Sequence, residues 1–400
     1  MMSIRYLYFI VICKVTWGYE RELNSTINPG CSNTLCKNGQ KISMIYVNAY
    51  GPEDIIHYIW DYTEKPSVLL AVTNLNSKLD IDCEKYCNGE SGSIKFSEGT
   101  LYNFSVVFNK IIEYNDKDDI GKYDPSKVET NVFYMQNFNW KLRSFVDDKF
   151  LTEAYVTGES YERLNVVKGG LCSLSLKAFS RHGYDDILPS LLHTANSSQV
   201  ELQLENIEMD KAFNNSRFAV EILLISPRGS NHSVEIDTKR SLDDEYAPGV
   251  FEMIEVASKH LGTSRGAYMQ YRPVSYTSMD RLIANSTDIN QSFIFNLTNG
   301  WEKANNSIAY RFYNFSLHNN FISEMNVSFG APGDGFYKNR NYTTWTFTLG
   351  YGKAPNQKFS LIVIVVLCDE LGIPFLLMIT GITYFCCKHY MEQKRERLLG

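Results

Sequence analysis

The stretch "LYNFSVVFNKIIEY", residues 101–114, consists largely of aromatic and β-branched side chains in a pattern close to period two. Such alternation is typical of β-strands, whose successive side chains point to opposite faces of a sheet. Similar runs recur along the chain, many of them bounded by Gly, Asn, Asp or Pro. They are "KISMIYVNAY" (41–50), "DIIHYIWDY" (54–62), "SVLLAVTNL" (67–75), "GSIKF" (92–96), "LCSLSLKAF" (171–179), "QVELQLENIEM" (199–209), "FAVEILLIS" (218–226), "SFIFNL" (292–297), "IAYRFYNFSL" (308–317) and "TTWTFTLGY" (343–351). The sequence therefore predicts an all-β fold.

One segment departs from this pattern. The run "APGVFEMIEVASKH", residues 247–260, has the apolar pattern of one helix face, with Gly262 just beyond it as a stop. The residues near that face are Val250, Ile254, Val256 and Ala257. We expect a helix there and only short helices elsewhere. Acidic residues that precede a helix are better explained as caps than as a catalytic pair. Here those residues are Asp243, Asp244 and Glu245.

Length and composition indicate a large folded region. The chain has 400 residues, 44% of them hydrophobic and 14% aromatic, which is enough to bury a sizeable core. The formal net charge is −6 without long runs of one sign, which excludes a nucleic-acid-binding surface. We expect two packed β-sandwich-like subdomains, residues 19–185 and 186–358, divided within the polar stretch 181–190.

The N-terminal residues 1–18 have the pattern of a secretory signal peptide. Arg5 precedes the apolar run 6–13, and Thr16 and Gly18 follow at the spacing that signal peptidase accepts. The apolar run is too short to span a bilayer. We therefore expect removal of residues 1–18 and entry of the chain into the secretory route.

The segment "FSLIVIVVLCDELGIPFLLMITGITYFCC", residues 359–387, is apolar and long enough to span a membrane. Basic residues then concentrate in the short tail 388–400. Because positive residues favour the cytosolic side, the pattern predicts a type I single-pass protein with its N-terminal part in the lumen.

Two carboxylates interrupt this span at Asp369 and Glu370. Pro374 cannot donate a backbone hydrogen bond to the carbonyl of Glu370, so we expect a bend at "DELGIP". Two interpretations remain open. The first is a break in the helix at the membrane surface, between a lumenal apolar stem and a short span. The second is contact of the acidic pair with a polar group on a partner's helices, since buried intramembrane charges are usually paired.

The predicted lumenal part is rich in Asn-x-Ser/Thr sequons, the acceptors of N-linked glycans. No sequon lies in the C-terminal tail, as the predicted topology requires. The sequence thus predicts a heavy glycan coat. The candidate acceptors are Asn24, Asn103, Asn196, Asn214, Asn231, Asn285, Asn290, Asn296, Asn305, Asn314, Asn326 and Asn341.

The cysteines are consistent with an oxidising compartment. Two disulfides among Cys31, Cys36, Cys83 and Cys87 are favoured over a zinc site, and the three ways of pairing them stay open. Cys172, within the apolar "GLCSLSLKAF", is expected to be a buried free thiol.

No catalytic constellation emerges from the sequence. The histidines at 57, 182, 193 and 232 are scattered, without H-E-x-x-H, G-x-S-x-G or C-x-x-C motifs. The glycine-rich "GAPGDGFYKNRN", residues 330–341, lacks the elements of a phosphate-binding loop and predicts a loop between strands. We expect no cofactor and no enzymatic activity. Two alternatives remain: a membrane-anchored lumenal glycan hydrolase, and a cell-surface adhesion or receptor ectodomain.

Several short motifs, in this order and spacing, resemble the glycosylated lysosomal membrane protein family. They are "LLHTA" (191–195), "SPRG" (226–229), "DDEYAP" (243–248), "RPVSY" (272–276) and "NVSFGA" (326–331). The resemblance implies a glycosylated, all-β lumenal region on one membrane anchor in the lysosome. It also implies an accessory subunit that binds a lysosomal major-facilitator-type transporter of small peptides and protects it from proteases. The resemblance leaves open whether the protein also forms a homodimer.

The chain departs from the family pattern in two respects. The family's second-half cysteines are absent, so its disulfides cannot be carried over. The family's tyrosine-based sorting signal is also altered, because Gln393 follows Tyr390 where a bulky apolar residue is expected. Leu398 and Leu399, with Glu396 nearby, are the substitute candidates for lysosomal sorting.

Overall fold

The structure, a computed structural model, describes residues 20–31, 36, 41–163, 166–227, 234–241, 245–259, 266–292, 294–298, 300–313, 320–356 and 361–399. Strands dominate, as predicted. We refer to residues 20–356 as the β region. Its first strands are β1 (Glu22–Ile27), β2 (Met44–Tyr50), β3 (Ile55–Asp61), β4 (Ser67–Thr73), β5 (Leu79–Ile81), β6 (Ile94–Phe96), β7 (Tyr102–Asn115), β8 (Thr130–Tyr134), β9 (Phe138–Asp147), β10 (Leu151–Arg163) and β11 (Val166–Phe179).

The remaining strands are β12 (Gly183–Tyr184), β13 (Leu192–His193), β14 (Ser197–Glu205), β15 (Ser216–Pro227), β16 (Glu235–Arg240), β17 (Glu252–Lys259), β18 (Gly266–Tyr271), β19 (Val274–Tyr276), β20 (Ser286–Gln291), β21 (Phe295–Asn296), β22 (Asn320–Phe329) and β23 (Tyr342–Gly352). The described helices are α1 (Cys83–Cys87), α2 (Ile308–Phe312) and α3 (Leu361–Leu399).

Two large sheets form the β region. The larger, with eleven strands, has the order β1-β2-β3-β4-β7-β15-β22-β20-β19, with β8 paired to β7 and β21 to β22. The smaller, with eight, has the order β16-β17-β18-β23-β14-β11-β10-β9. Neighbouring strands of both sheets are antiparallel; for example, Val220 of β15 pairs with Ile111 of β7. The all-β prediction is confirmed.

Most of the stretch 101–114 forms β7, near the middle of the larger sheet. Val106 and Phe108 point into the main core between the sheets, where Phe108 lies 6.2 Å from Phe347 of β23, measured between ring centroids. Val107 points the opposite way, into a second apolar cluster that includes Leu223. Because β7 is buried on both faces, its apolar residues do not alternate strictly: Val106 is followed by Val107, and Ile111 by Ile112.

Strands from both sides of the predicted boundary at 181–190 enter both large sheets. In the larger sheet, β7 pairs with β15. In the smaller, β11 pairs with β14. The division into subdomains 19–185 and 186–358 stays a prediction, and these strand pairings do not follow it.

Two predicted elements were wrong. The segment 247–260 is not a helix: it contains β17, which pairs with β16 on one side and β18 on the other. Its apolar residues also fit the period of two that is typical of a strand, and Ile254 and Val256 both lie in the main core. Because the segment pairs with a strand on each side, it forms a strand rather than a helix. Glu245 is exposed, and the next described element after it is β17 rather than a helix. Asp243 and Asp244 lie outside the described residues.

The second error concerns 308–317, predicted as a strand. Its first part forms helix α2, where the Ser307 side chain caps the N-terminus by accepting a hydrogen bond from the backbone of Tyr310. Ile308 and Ala309 are fully buried against neighbouring clusters. The loop predicted at 330–341 is confirmed between β22 and β23.

The four N-terminal cysteines form two disulfides. Cys31 bonds to Cys83 and Cys36 to Cys87, which joins helix α1 to the segment before β2. The fold thus selects one of the three pairings that the spacing allows. Cys172 is free and fully buried, as predicted, and burial raises the pKa of its thiol well above the ordinary range.

Candidate functional site

Helix α3 is one candidate for a functional contact. Its side chains are exposed or half-exposed from Val363 to Arg395, and this stretch is long and apolar enough to cross a membrane. Helical structure continues without interruption through Pro374, so the helix is not broken at "DELGIP", and the bend expected there stays a prediction. The predicted sorting residues Leu398 and Leu399 form the C-terminal end of α3.

The acidic pair lies toward one end of this span. The basic tail begins at Lys388, and a helix needs about 20 residues to cross a hydrocarbon core. Counting back from Lys388 by that length reaches Cys368, immediately before Asp369 and Glu370. Both acidic residues are exposed on the helix surface. They are therefore available to a group outside this chain, at the edge of the bilayer opposite the basic tail.

A second candidate is a cleft of about 1580 Å³ in the β region. Its floor is the face of β22 that carries Glu324, Asn326 and Ser328, and this face points away from the main core. Residues 115–118, 120 and 122–129, at the end of β7 and in the segment after it, form one wall, and residues 290–292, 294 and 295 form another. Val234 and Ile236 complete the lining.

Five carboxylates line this cleft, so a hydrolase site must be considered. Asp116 accepts hydrogen bonds from Arg217 Nε at 2.7 Å and from the backbone of Gly121 at 2.8 Å. Asp118 is exposed on the loop. The other three carboxylates pair with lysines: Asp124 with Lys127 at 2.9 Å, Glu129 with Lys117 at 3.2 Å, and Glu324 with Lys303. Glycoside hydrolysis requires a protonated acid and a carboxylate that face one substrate bond. Ion pairing with lysine or arginine favours the charged form of a carboxylate instead.

Arg217 organises the wall beside this cleft. Its side chain, only 1% exposed, reaches Asp116 at 2.7 Å, Asp119 at 2.5 Å and Asp334 at 2.7 Å. These carboxylates come from the loop after β7 and from the 330–341 loop. A Cβ atom on Gly330 would overlap the Arg217 guanidinium, so the glycine is required for this close approach. The sequence motifs did not predict this cluster; an arginine inside the apolar strand "SRFAVEILL" was the available signal.

Two histidines of the β region, His57 and His193, are buried among other side chains. His57 is buried between the Tyr46 and Thr73 hydroxyls, each 2.7 Å away, and burial lowers its pKa to about 3. His193 stacks on Phe179, and burial lowers its pKa to about 4. Both imidazoles are neutral at mildly acidic pH. The described residues contain no group of three His, Cys, Asp or Glu side chains placed to hold a metal.

Comparison with known proteins decides the family. The sequence model described as glycosylated lysosomal membrane protein matches residues 43–392. The chain belongs to the glycosylated lysosomal membrane protein family. The protein of that name from Danio rerio is 28% identical over 387 residues, which cover 94% of this chain and 91% of the relative. Glycosylated lysosomal membrane protein A of Xenopus laevis is 28% identical over 375 residues, covering 90% and 88%.

A solved structure adds nothing to this assignment. A putative mutarotase, YeaD from Salmonella typhimurium, is similar over 77% of this chain and 94% of its own, with 7% identity and a TM-score of 0.29. A score this low supports no conclusion on fold or function. The family assignment therefore rests on sequence: this chain is a lysosomal membrane glycoprotein with one C-terminal helix that can span the membrane.

The predicted acceptors of this glycosylated lysosomal membrane protein family member differ in accessibility. Asn24, Asn214 and Asn296 are exposed, and Asn326 is buried, with 8% of its surface accessible. Asn231 and Asn314 lie outside the described residues. The half-buried acceptors are Asn103, Asn196, Asn285, Asn290, Asn305 and Asn341. Their occupancy stays a prediction.

Proposed function

We propose that this protein is a non-catalytic accessory subunit. It binds a multi-span lysosomal transporter of the major facilitator type, one that carries small peptides, and protects that transporter from lysosomal proteases. One observation carries the proposal: Asp369 and Glu370 are exposed on a helix that is otherwise apolar enough to cross a membrane. Carboxylates are costly to bring into hydrocarbon, and acidic residues of membrane-spanning helices usually pair with a polar group of another helix.

The β region suits a protective role. Proteases cleave extended, accessible segments, and chain held in sheets exposes few of them. Here the central strands β7, β15 and β22 are buried along most of their length. Two disulfides secure the segment before β2. Glycans on the exposed acceptors would add a further barrier above the short loops of a membrane-embedded partner.

The cleft supports a non-catalytic role over the hydrolase alternative. Its carboxylates Asp116, Asp124, Glu129 and Glu324 serve as partners of arginine or lysine. A glycan hydrolase would need a general acid whose pKa is raised by an apolar or like-charged environment. Asp124 shows the opposite effect, because hydrogen bonds from Ser126 and Lys127 lower its pKa to about 2.

The test is removal of this protein from cells that express it, followed by proteomic measurement of multi-span transporters in purified lysosomes. We expect one transporter of the major facilitator type to fall in abundance, and lysosomal protease inhibitors to restore it. The same transporter should co-purify with the full chain in mild detergent. Unchanged abundance of all such transporters, or a loss that protease inhibitors do not reverse, would contradict the proposal.

A further inference from the structure

Asn326 occupies an unusual position for a glycan acceptor. It lies on β22, between β15 and the segment that leads into β21, and its backbone N–H donates to Ser292 Oγ at 3.0 Å. Its side chain lines the floor of the cleft and is 8% exposed. The side-chain oxygen Oδ1 accepts no hydrogen bond from the described residues. A buried amide oxygen without a hydrogen-bond donor costs about 1–3 kcal/mol.

The neighbouring acceptor Asn290 provides a contrast. Asn290 lies in the same cleft, on β20, but its Nδ2 donates to the carbonyls of Gly121 at 3.3 Å and Gly330 at 3.4 Å. A sugar on that nitrogen would have to enter between two backbone segments already in close contact: a Cβ on Gly121 would lie 2.6 Å from the Gly330 oxygen. The amide nitrogen of Asn326 makes no such bond among the described residues, and its side chain borders the open volume of the cleft.

The cleft has the size and chemistry to hold carbohydrate. Its volume of about 1580 Å³ exceeds the roughly 300–1,000 Å³ of ordinary ligand pockets. Tyr123 and Phe295 offer aromatic rings for the apolar faces of sugar rings, and Phe295 is 56% exposed without such a cover. Gln291 and Ser292 offer hydrogen-bonding groups beside Asn326.

We propose that Asn326 carries an N-linked glycan whose first sugars pack inside this cleft. The glycan is then an internal part of the fold, distinct from the outer coat. In the transfer, Asn326 Nδ2 bonds to C1 of a lipid-pyrophosphate-linked oligosaccharide. The bond from C1 to the pyrophosphate oxygen breaks, the lipid pyrophosphate leaves, and the amide loses one proton. The sequon Asn326-Val327-Ser328 is accessible for this step while the chain is still extended, before β22 is buried.

This inference does not depend on the proposed transporter partner. It predicts a glycan that is protected by the native fold and that contributes to stability by covering Phe295. Glycans on exposed acceptors such as Asn214 should show neither property.

The experiment uses the full chain, produced in cells with a secretory route and purified in mild detergent. Peptide-N-glycosidase is applied to native and to denatured protein, and mass spectrometry follows conversion of each acceptor to aspartate. We expect Asn326 to be converted in denatured protein but, in native protein, on the order of tenfold or more slowly than Asn214, because access requires local opening. An unoccupied Asn326, or conversion as fast as that of Asn214 in native protein, would overturn the proposal.

Variants give a second readout that does not depend on the first. Asn326→Gln removes the acceptor and is expected to lower the melting temperature or the yield of folded protein. Asn214→Gln, the matched control, should remove one glycan without either effect. Ser328→Thr keeps the sequon and should retain the glycan. If Asn326→Gln fails to fold, the protection measurement on the natural chain still decides the question.

Discussion

Asp61 and Arg311 face each other across 4.0 Å inside the protein, Asp61 at the end of β3 and Arg311 on helix α2. Arg311 also pairs with Glu64 at 2.7 Å and lies over the ring of Tyr86, 4.4 Å from its centroid. Burial raises the pKa of the Asp61 carboxyl, and the positive charge of Arg311 opposes that shift. This pair joins α2 to β3, and the contact of Arg311 with Tyr86 joins α2 to the disulfide-bonded helix α1.

Replacement of Arg311 by Leu should therefore be severe. It leaves Asp61 buried without its cation, and breaking a buried ion pair from one side costs about 3–5 kcal/mol. The free energy of unfolding, measured by denaturant titration of the full chain, should fall by that amount. Adding Asp61→Leu to Arg311→Leu should recover part of the loss. Arg340→Leu, at an exposed position, is the control and should change stability little.

The buried histidines predict a loss of stability in acid. Burial holds the pKa of His57 at about 3 and that of His193 at about 4, below the unfolded value near 6.5. The unfolded chain therefore binds more protons, and stability falls as the pH drops through 6.5, by about 1.4 kcal/mol per pH unit for each group. Asp61, whose pKa is raised, acts with the opposite sign, and its contribution is lost as the pH rises through its folded value.

This dependence can be measured from melting temperatures between about pH 7.5 and about pH 4.5, a range that spans the unfolded histidine pKa. His57→Gln should lower stability at the neutral end but make the acid-side decline shallower than in the natural chain. Equal slopes for the natural chain and His57→Gln would show that His57 does not contribute to the decline.

The two disulfides should contribute unequally when they are removed one after the other. Each closes a loop of similar length, with sequence separations of 52 for Cys31–Cys83 and 51 for Cys36–Cys87. Replacing one pair by serine leaves the long loop closed by the other, so we expect a loss of about 2–3 kcal/mol; removing the second pair opens the loop and should cost about 4 kcal/mol more. Thermal unfolding of the two double variants and the quadruple variant tests this order. Equal increments would argue against a shared loop.

Gly330→Ala should disrupt the Arg217 cluster. Its φ of +129° is unfavourable for an L side chain, and the new Cβ would overlap the Arg217 guanidinium. We expect a loss of about 3 kcal/mol or more in unfolding free energy, since steric overlap adds to backbone strain. Gly333→Ala is the matched control in the same loop. Its φ is +77°, but a Cβ there would have no neighbouring atom within 4 Å, so the loss should be about 1–2 kcal/mol.

Replacing Asp369 and Glu370 together by Leu should weaken binding to the transporter and leave membrane insertion intact. The change removes the groups that a partner would pair with and makes the span more apolar. Co-purification in detergent, with carbonate extraction as the insertion control, measures both. Thr380→Leu with Thr383→Leu is the matched variant on the same helix, where both hydroxyls already donate to helix carbonyls. If co-purification is unchanged for Asp369→Leu/Glu370→Leu, this pair is not the contact.

Local pattern alone predicted ten of the 23 described strands, the central β7 and β15 among them, together with the apolar span, the loop at 330–341 and the buried thiol of Cys172. These features depend on side-chain periodicity and length, which neighbouring residues determine directly. Local pattern failed at 247–260 and 308–317, where short apolar runs fit either period. In the first segment, pairing of β17 with β16 and β18 determines a strand. In the second, the cap by Ser307 stabilises helix α2. The cysteine partners also required the fold, because any of three pairings satisfies the spacing.

By itself, the sequence determined the class of this protein: a β-rich, sequon-bearing chain of the glycosylated lysosomal membrane protein family, with one apolar span that carries two acids. Only the tertiary structure decided which distant groups meet. Arg217 is 101 residues from Asp116 and 117 from Asp334, and it binds both. The fold also placed Asn326 in a cleft and Asn214 on the surface. Such contacts arise because antiparallel sheets bring together strands that are remote in sequence. Patterns among neighbouring residues therefore cannot predict them.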